Sequence, residues 1–220
     1  MAKVSQAQRL RDLLEDAIIA GRFTPGERLD PDALALEYAC SRTPIREAIQ
    51  QLAMSGMVQV VPKRGTFVTR LGISDLVERF EVMAELEGLC GRLAARRIND
   101  DERAALIDAL KACRARAEEH DANGYYYDNS VFHHCIYAAS HNHFLAQEAA
   151  RLHALLQPYR RLQLQVRMRV ESSLAEHEAI VAAIEAGDGP RAEQLLREHV
   201  MVQGERFNDL VASMHALEGG

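Results

Sequence analysis

The sequence has 220 residues, 48% of them hydrophobic, which is long enough for one or two domains with buried cores. It contains no apolar run of the roughly 18 residues that a membrane-spanning helix needs, and its first residues lead into a polar amphipathic segment rather than a signal peptide. The four cysteines form no C-x-x-C pair and are expected to be reduced core residues. We therefore expect a cytoplasmic protein with no membrane partner.

The net charge of −6 is unevenly distributed along the chain. Residues 1–70 carry 10 Lys and Arg against 8 Asp and Glu, a net charge of +2, whereas the rest carries 16 against 24, a net charge of −8. The overall acidity disfavours general binding to nucleic acid. A mildly basic N-terminal module on an acidic body is nevertheless compatible with local contact to DNA.

The first 40 residues predict two helices separated by a turn. Ser5, with Gln8 three residues later, has the pattern of a capping box, and an apolar stripe follows as far as Gly21. After a Pro-Gly turn, Asp30 and Pro31 are placed to open a second, short helix.

Residues 41–56 predict a third helix with the features of a DNA-reading element. Thr43 is suited to cap this helix, Pro44 to occupy its first position, and Gly56 to end it. Cations and hydroxyls gather at its N-terminal end, an arrangement that can enter a major groove and hydrogen-bond base edges and phosphates. These side chains are those of Ser41, Arg42, Thr43 and Arg46. A surface helix with two solvated arginines explains this stretch equally well when it is taken alone.

Two β-branched runs between residues 57 and 69 flank a Pro/Gly turn and predict a hairpin. Its tip carries Lys63, Arg64 and Gly65, which would lie near the DNA backbone or the minor groove. Three helices followed by a hairpin with a basic tip predict a winged helix-turn-helix domain over residues 1–72, with the third helix in the major groove.

Three segments in this region resemble the DNA-binding domain of the GntR family of bacterial transcription regulators. They are Pro-Gly-Glu-Arg-Leu at 25–29, Ser-Arg-Thr-Pro-Ile-Arg-Glu-Ala-Ile at 41–49 and Arg-Gly-Thr-Phe-Val at 64–68. The resemblance implies DNA contacts by Ser41, Arg42, Thr43, Arg46, Arg64 and Gly65. Some members carry a further arginine early in the second helix, where this chain has Asp32, so that contact is not expected here.

Residues 73–220 contain no convincing strand and predict an all-α bundle of about six helices. Ser74 and the pair Asn99 and Glu102 are placed to start the first two helices, and Pro158 should kink or interrupt the fourth. The predicted segments are 74–97, 99–120, 124–140, 142–166, 173–186 and 189–215. The core of such a bundle can hold a metal or ligand site built from facing helices.

Eight of the nine histidines lie between residues 120 and 199. Asn129 and His133 share a helix face because they are four residues apart, and His177 and His199 fall in two later helices. Three imidazole nitrogens and one oxygen suit Zn²⁺ or a similar divalent ion. Spacing alone favours an ordinary surface or hydrogen-bonded role for each histidine, so both interpretations stay open at this point.

The same region resembles the FCD ligand-binding domain of the FadR subfamily. The matching segments are Phe132-His133, Ala138-Ala139-Ser140-His141-Asn142, Glu176-His177-Glu178-Ala179-Ile180, Gly187-Asp188 and His199. Metal-binding members use an Asp and three histidines at the positions that are Asn129, His133, His177 and His199 here. The resemblance therefore implies a divalent ion, with Zn²⁺ preferred to Ni²⁺ or Mn²⁺. Asn129 offers a neutral oxygen in place of a carboxylate, which should weaken the binding of hard cations.

An arginine that many members carry in the first helix of this domain is Met83 in this chain. The candidates for contact with an effector are Asn142, Arg160 and Arg161. Tyr159, Arg167 and Arg169 are further replacements for the missing arginine. A solvated helical face is the simpler interpretation of these arginines.

Together these features predict a homodimeric transcription regulator of the repressor type that binds a palindromic operator in double-stranded DNA. We expect its operator binding to be controlled by a small organic acid that binds at the metal of the 73–220 domain. One alternative is a metal-dependent hydrolase in which three histidines activate a water, although no motif supplies its general acid or base. Another is a metal-free helical module that only dimerises.

Overall fold

The computed structural model describes residues 5–164 and 169–201, apart from the side chains of Ile19, Leu162 and Gln163. The chain divides into two compact units, one that ends at Gly72 and one that begins at Ile73. The predicted fold class, a winged helix-turn-helix followed by an all-α bundle, is confirmed. Among the described residues, none of the helices has both the length and the hydropathy of a membrane-spanning segment.

The first unit has three helices and a three-stranded antiparallel sheet. Their bounds are α1 Gln6–Ile19, β1 Arg28–Leu29, α2 Pro31–Glu37, α3 Arg42–Met54, β2 Val58–Val61 and β3 Gly65–Val68. The strand order is β1-β3-β2, so a strand that was not predicted extends the predicted hairpin of β2 and β3. With two residues, β1 is too short to leave a periodic pattern. It forms because Leu29 is buried and pairs opposite Thr66 of β3.

The start of α3 differs from the prediction by two residues. Ser41 is the N-cap and α3 begins at Arg42, so Thr43 and Pro44 lie in the first turn. Pro is tolerated there because the first amide hydrogens of a helix have no partner within the helix. At the start of α1, Ser5 Oγ accepts a hydrogen bond from the Gln8 amide as predicted.

The second unit is a bundle of six helices in the part of the chain described. Their bounds are α4 Ile73–Arg97, α5 Asp100–Glu118, α6 Ala122–Ala139, α7 His143–Leu164, α8 Arg169–Glu185 and α9 Gly189–Val200. The predicted capping box of Asn99 and Glu102 opens α5. In contrast, Ser74 lies inside the first turn of α4 and donates to Glu78, so it does not cap that helix.

Two other helices, α7 and α8, differ from the prediction. The helix α7 runs through Pro158, so of the predicted kink or interruption at this residue the interruption does not occur. Leu156 and Tyr159 on either side are buried, and this packing stabilises the helix although Pro cannot donate to its ladder. The helix α8 begins at Arg169, four residues before its predicted start. The predicted ends of the fourth helix at 166 and of the last helix at 215 lie outside the described residues.

The helix α4 contacts α6, α7, α8 and α9, and it therefore forms the centre of the bundle. Glycine permits its close approach to α9, because a Cβ added at Gly91 would lie 2.2 Å from Leu196 Cδ1. A Cβ added at Gly88 would lie 2.9 Å from Arg197 Cγ. Side chains on the inner faces of these helices consequently meet in one shared interior.

Candidate functional site

The N-terminal end of α3 presents an exposed polar surface, as expected for a DNA-reading helix. The exposed side chains are those of Ser41, Arg42, Thr43 and Arg46. On the opposite face of the helix, Ile45, Ile49 and Leu52 are buried. The apolar face therefore holds the helix in the unit while hydroxyl and guanidinium groups point to solvent.

An ion pair joins the start of α2 to the start of α3. Asp32 Oδ1 lies 2.7 Å from Arg42 Nε, and both side chains are more than half exposed, at 55% and 65%. A guanidinium has five N–H donors, so a contact through Nε leaves its two terminal nitrogens available to another acceptor. Asp32 stands where some family members have an arginine that contacts DNA. In this chain it pairs instead with Arg42, a residue predicted to bind DNA.

The turn between β2 and β3 carries the predicted wing residues. Lys63 and Arg64 are exposed and Gly65 is half-buried. Gly65 has φ +116°, a conformation that side-chain-bearing residues rarely adopt, and an added Cβ would lie 3.1 Å from Arg28 Nε. The tight turn therefore requires glycine, and it keeps the two cations at the tip of the hairpin.

Three histidines from three helices converge in the interior of the second unit. They are His133 of α6, His177 of α8 and His199 of α9, and all are buried. His199 Nε2 lies 3.3 Å from His177 Nε2 and 3.3 Å from His133 Nε2. Among the His, Cys, Asp and Glu residues of the described chain, these three form the group with a spacing that could hold a metal ion. We call them the histidine cluster.

Two of these histidines each have a carboxylate that fixes the orientation of the ring. Glu87 Oε2 of α4 lies 2.5 Å from His133 Nδ1, and Glu176 Oε2 of α8 lies 2.6 Å from His199 Nδ1. A neutral imidazole that donates its Nδ1–H to a carboxylate has its lone pair on Nε2. Both rings therefore direct an electron pair toward the point that the three Nε2 atoms share.

The ring of His177 is held differently. It stacks on Phe132 with 4.0 Å between ring centroids. Its Nδ1 is buried and has no hydrogen-bond partner within residues 5–164 and 169–201. No bond to Nδ1 therefore fixes its tautomer, and its Nε2 can carry either a proton or a lone pair.

Burial keeps the histidine cluster uncharged. Desolvation lowers the pKa of His133, and it holds the pKa of His177 and of His199 well below the ordinary value, reinforced by the other histidines. Burial by itself raises the pKa of Glu87, but His133, His153 and Arg160 outweigh burial and hold that pKa well below its usual range. Neutral imidazoles backed by an ionised carboxylate form a donor set that suits a divalent cation.

A small cleft that opens to solvent lies beside the histidine cluster and is called the cavity below. Its lining consists of Phe80, Asn129, Arg160, Leu164, Arg169, Ser173, His199 and Val200. Asn129, the fourth predicted ligand position, is buried and lines the cavity together with His199. The predicted ligand positions thus lie at the cluster or beside it.

The candidate effector residues are found in three different settings. Arg160 is buried and lines the cavity, which corrects the simpler interpretation of a solvated face for this residue. Arg161 donates to Asn123 Oδ1 at 2.9 Å. Asn142 accepts from the Leu145 amide at the start of α7. Among the described residues, neither Arg161 nor Asn142 belongs to the cavity lining.

The orienting carboxylates were not predicted from the sequence, although one of them left a signal. Glu87 interrupts the buried stripe of α4 between Met83 and Cys90, where a charged residue needs a partner. His153 is likewise buried, with its Nδ1 3.0 Å from the Tyr137 hydroxyl, and burial lowers its pKa to about 3. The other histidines of this region, His120, His134, His141 and His143, are exposed.

Comparison with known proteins identifies both units. Residues 6–68 match the model of bacterial regulatory proteins of the gntR family, and residues 78–201 match the FCD domain model. The chain is 32% identical over 199 residues to the HTH-type transcriptional repressor GlaR of Escherichia coli K12, an alignment covering 86% of this chain and 89% of GlaR. It is 28% identical over 209 residues to a probable D-xylose utilization operon transcriptional repressor of Paenarthrobacter nicotinovorans, covering 91% and 88%.

Solved structures share the same fold. E. coli McbR/YncC has a TM-score of 0.84 at 22% identity, covering 96% of this chain and all of that one. A putative GntR regulator from Rhodococcus sp. RHA1 has a TM-score of 0.78 at 21% identity, covering 94% and 98%. The relatives are transcription regulators rather than enzymes, which decides against the hydrolase alternative. The chain belongs to the GntR family of bacterial DNA-binding transcription regulators and carries an FCD domain.

Proposed function

We propose that this chain is a cytoplasmic transcription repressor that binds a palindromic operator as a homodimer. A small organic acid, bound beside a divalent metal ion in the second unit, controls the affinity of the repressor for DNA. The observation that carries the proposal is the convergence of three buried Nε2 atoms beside a cavity with a cationic lining.

The exposed end of α3 supports the assignment of direct base contacts. Arg42 and Arg46 are suited to guanine, and Ser41 and Thr43 to phosphates or base edges. Lys63, Arg64 and Gly65 at the wing tip would contact the backbone or the minor groove. Repression rather than activation is proposed because GlaR and the D-xylose operon relative are both named repressors.

The histidine cluster fits a metal ion that prefers nitrogen ligands. Neutral imidazoles suit Zn²⁺ and Ni²⁺, whereas Mn²⁺ favours oxygen ligands, and Asn129 supplies at most a neutral oxygen. The hydrogen bonds that His133 and His199 donate to Glu87 and Glu176 raise the basicity of the two imidazoles. When bound, the ion would supply a Lewis-acidic site for a carboxylate group of the effector. We therefore propose His133, His177, His199 and Asn129 as the residues that hold it.

The cavity lining supports a small anionic effector. Arg160 and Arg169 supply positive charge, and Phe80 and Leu164 supply an apolar wall. We propose Arg160 as the main contact of the effector carboxylate, ahead of Arg161 and Asn142. Arg161 and Asn142 lie outside the described cavity lining, where they bond to Asn123 and to the start of α7.

The test combines metal analysis, thermal shifts and DNA binding. We expect the purified protein to contain Zn²⁺ or Ni²⁺, and a chelator to lower its melting temperature because an ion that binds only the folded state stabilises it. The chelator effect should shrink in His177→Ala but persist in His134→Ala, which changes an exposed histidine on α6. Organic acids that raise the melting temperature of the metal-loaded protein should also change its affinity for a DNA site selected from random sequences.

Two outcomes would contradict parts of the proposal. Absence of bound metal and of any chelator effect, even after incubation with Zn²⁺ and Ni²⁺, would leave the metal-free dimerisation module as the better description. Affinity for the selected site no greater than for random DNA would contradict operator recognition.

A further inference from the structure

The histidine cluster already contacts a cation that belongs to the chain itself. Arg160 of α7 is 9% exposed, and its Nη2 lies 2.9 Å from His133 Nε2. Its Nη1 lies 3.2 Å from Glu87 Oε1. The guanidinium therefore spans the histidine and the carboxylate that orients that histidine.

The contact between Arg160 and His133 uses the electron pair that a metal ion would need. His133 donates its Nδ1–H to Glu87, so Nε2 has one lone pair, and Arg160 can act only as a donor toward it. One lone pair cannot accept this hydrogen bond and ligate an ion at the same time. A guanidinium is also permanently charged, and it would repel a divalent cation at this short distance.

The same contacts give the Nε2 atoms of the cluster hydrogen-bond partners without an ion, and His177 Nδ1 is the ring nitrogen that they leave without one among the described residues. Arg160 donates to His133, and the distance of 3.3 Å allows His177 Nε2–H to donate to the Nε2 lone pair of His199. Glu87 is bonded to both His133 and Arg160, so its buried charge is compensated. The metal-free arrangement therefore has its own hydrogen-bond network.

We propose that Arg160 is a built-in competitor for the histidine cluster and that a metal ion can be held there only when Arg160 leaves His133 Nε2. This inference rests on the proposed metal site and adds a residue that sets its affinity. Arg160 holds the cluster in its hydrogen-bonded form and weakens metal binding. Once displaced, its side chain remains in the lining of the cavity, where the effector is proposed to bind.

The experiment measures Zn²⁺ and Ni²⁺ affinity by competition with a chromophoric chelator, using the full chain after metal removal. Arg160→Met removes the donor and the charge but keeps an unbranched side chain. We expect this variant to bind Zn²⁺ about tenfold to a hundredfold more tightly than the unaltered chain, because hydrogen bonds to charged groups are worth that much in affinity. The matched control is Arg151→Met, which removes the same charge from an exposed position of α7, where the arginine pairs with Glu148. This control should change the affinity by less than about threefold.

A second pair of variants guards against misfolding, since Arg160→Met leaves Glu87 with one partner fewer. Glu87→Gln removes the buried charge first, and Glu87→Gln with Arg160→Met then removes the whole ion pair, which proteins usually tolerate better than half of it. Tighter metal binding in the double variant than in Glu87→Gln alone would support the competition.

Equal or weaker metal affinity after removal of Arg160, in both backgrounds, would overturn the inference while leaving the metal site itself intact. Binding by the Arg160→Met variant but not by the unaltered chain would support it. Absence of metal binding in every variant would overturn the inference together with the proposed metal site.

Discussion

At the scale of single residues, the ion pair between Asp32 and Arg42 bears on how DNA is read. We expect Asp32→Ala to reduce the preference for a selected DNA site over random DNA by about twofold to fivefold, the range that an exposed ion pair allows. The reason is that Asp32 holds Arg42 by Nε and restricts the directions of its terminal nitrogens. Affinity for random DNA should rise, because the change removes a negative charge near phosphates.

Fluorescence anisotropy at several salt concentrations checks this prediction. The matched control is Glu37→Ala, which removes a carboxylate from the other end of α2, where it pairs with Arg22. A preference for the selected site that is unchanged in Asp32→Ala, or lowered equally in Glu37→Ala, would show that Asp32 has no special part in orienting Arg42.

The residues of the histidine cluster could be named from the sequence, but their partners could not. The i, i+4 spacing of Asn129 and His133 is a local signal, and the resemblance to FCD domains favoured the metal interpretation of His177 and His199. The partner of His133 is Glu87, which lies 46 positions earlier in the chain. A solvated face was the simpler of the two interpretations of Arg160, because a helical pattern cannot show that α4 brings a carboxylate against it. Contacts of this kind depend on packing between helices.

At the scale of helices, the close approach of α4 and α9 determines where two parts of the site lie. Glu87 and Gly91 are on one face of α4, and Leu196 and His199 are on one face of α9. Gly91→Ala would place a Cβ 2.2 Å from Leu196 Cδ1, and Leu196 is fully buried. Overpacking costs about 1–3 kcal/mol, and Ala gains about 1 kcal/mol over Gly in a helix. The difference leaves a net loss of up to about 2 kcal/mol in the free energy of unfolding, and we also expect weaker metal binding.

Urea unfolding followed by circular dichroism measures the first effect, and a double-mutant cycle tests its cause. Leu196→Val removes the clashing methyl, so its combination with Gly91→Ala should lose less stability than the two single changes added together. Strict additivity would show that the contact with Leu196 is not the cause of the lost stability. Unchanged stability of Gly91→Ala would show that α4 and α9 can move apart to fit the methyl group at no cost.

Helix starts were predicted best where the capping residues are local. Asn99 and Glu102 cap α5 through bonds within four residues of each other, a pattern visible in any sequence. The strand β1 was not predicted because its two residues gain their partners only from β3. Pro158 was predicted to kink or interrupt its helix, and tertiary packing keeps that helix uninterrupted. The sequence therefore predicts helix ends that are set by bonds between nearby residues. Features that depend on contacts between distant residues, such as β1, were not predicted.

At the scale of the whole molecule, the length of α3 argues for a pair of chains on each operator. This helix has 13 residues, and only its first turns carry the predicted base contacts, so one copy reads few base pairs. We expect the chain, with a mass of 24.6 kDa, to sediment as a dimer at micromolar concentration. The selected DNA should contain an inverted repeat bound by two chains. A monomer in sedimentation that binds a single half-site with full affinity would contradict this arrangement.

The carboxylates and guanidiniums around the histidine cluster also narrow the chemistry of the effector. Among the described side chains that bond to the cluster or line its cavity, Glu87 and Glu176 balance Arg160 and Arg169, and the histidines are neutral. The site is thus electroneutral when no ion is held, and a divalent ion adds two uncompensated positive charges. The histidines are buried, so water screens such charges poorly and their neutralisation is favoured. A dianion, such as a small dicarboxylate, restores electroneutrality in one binding event, whereas a monoanion leaves one charge unbalanced.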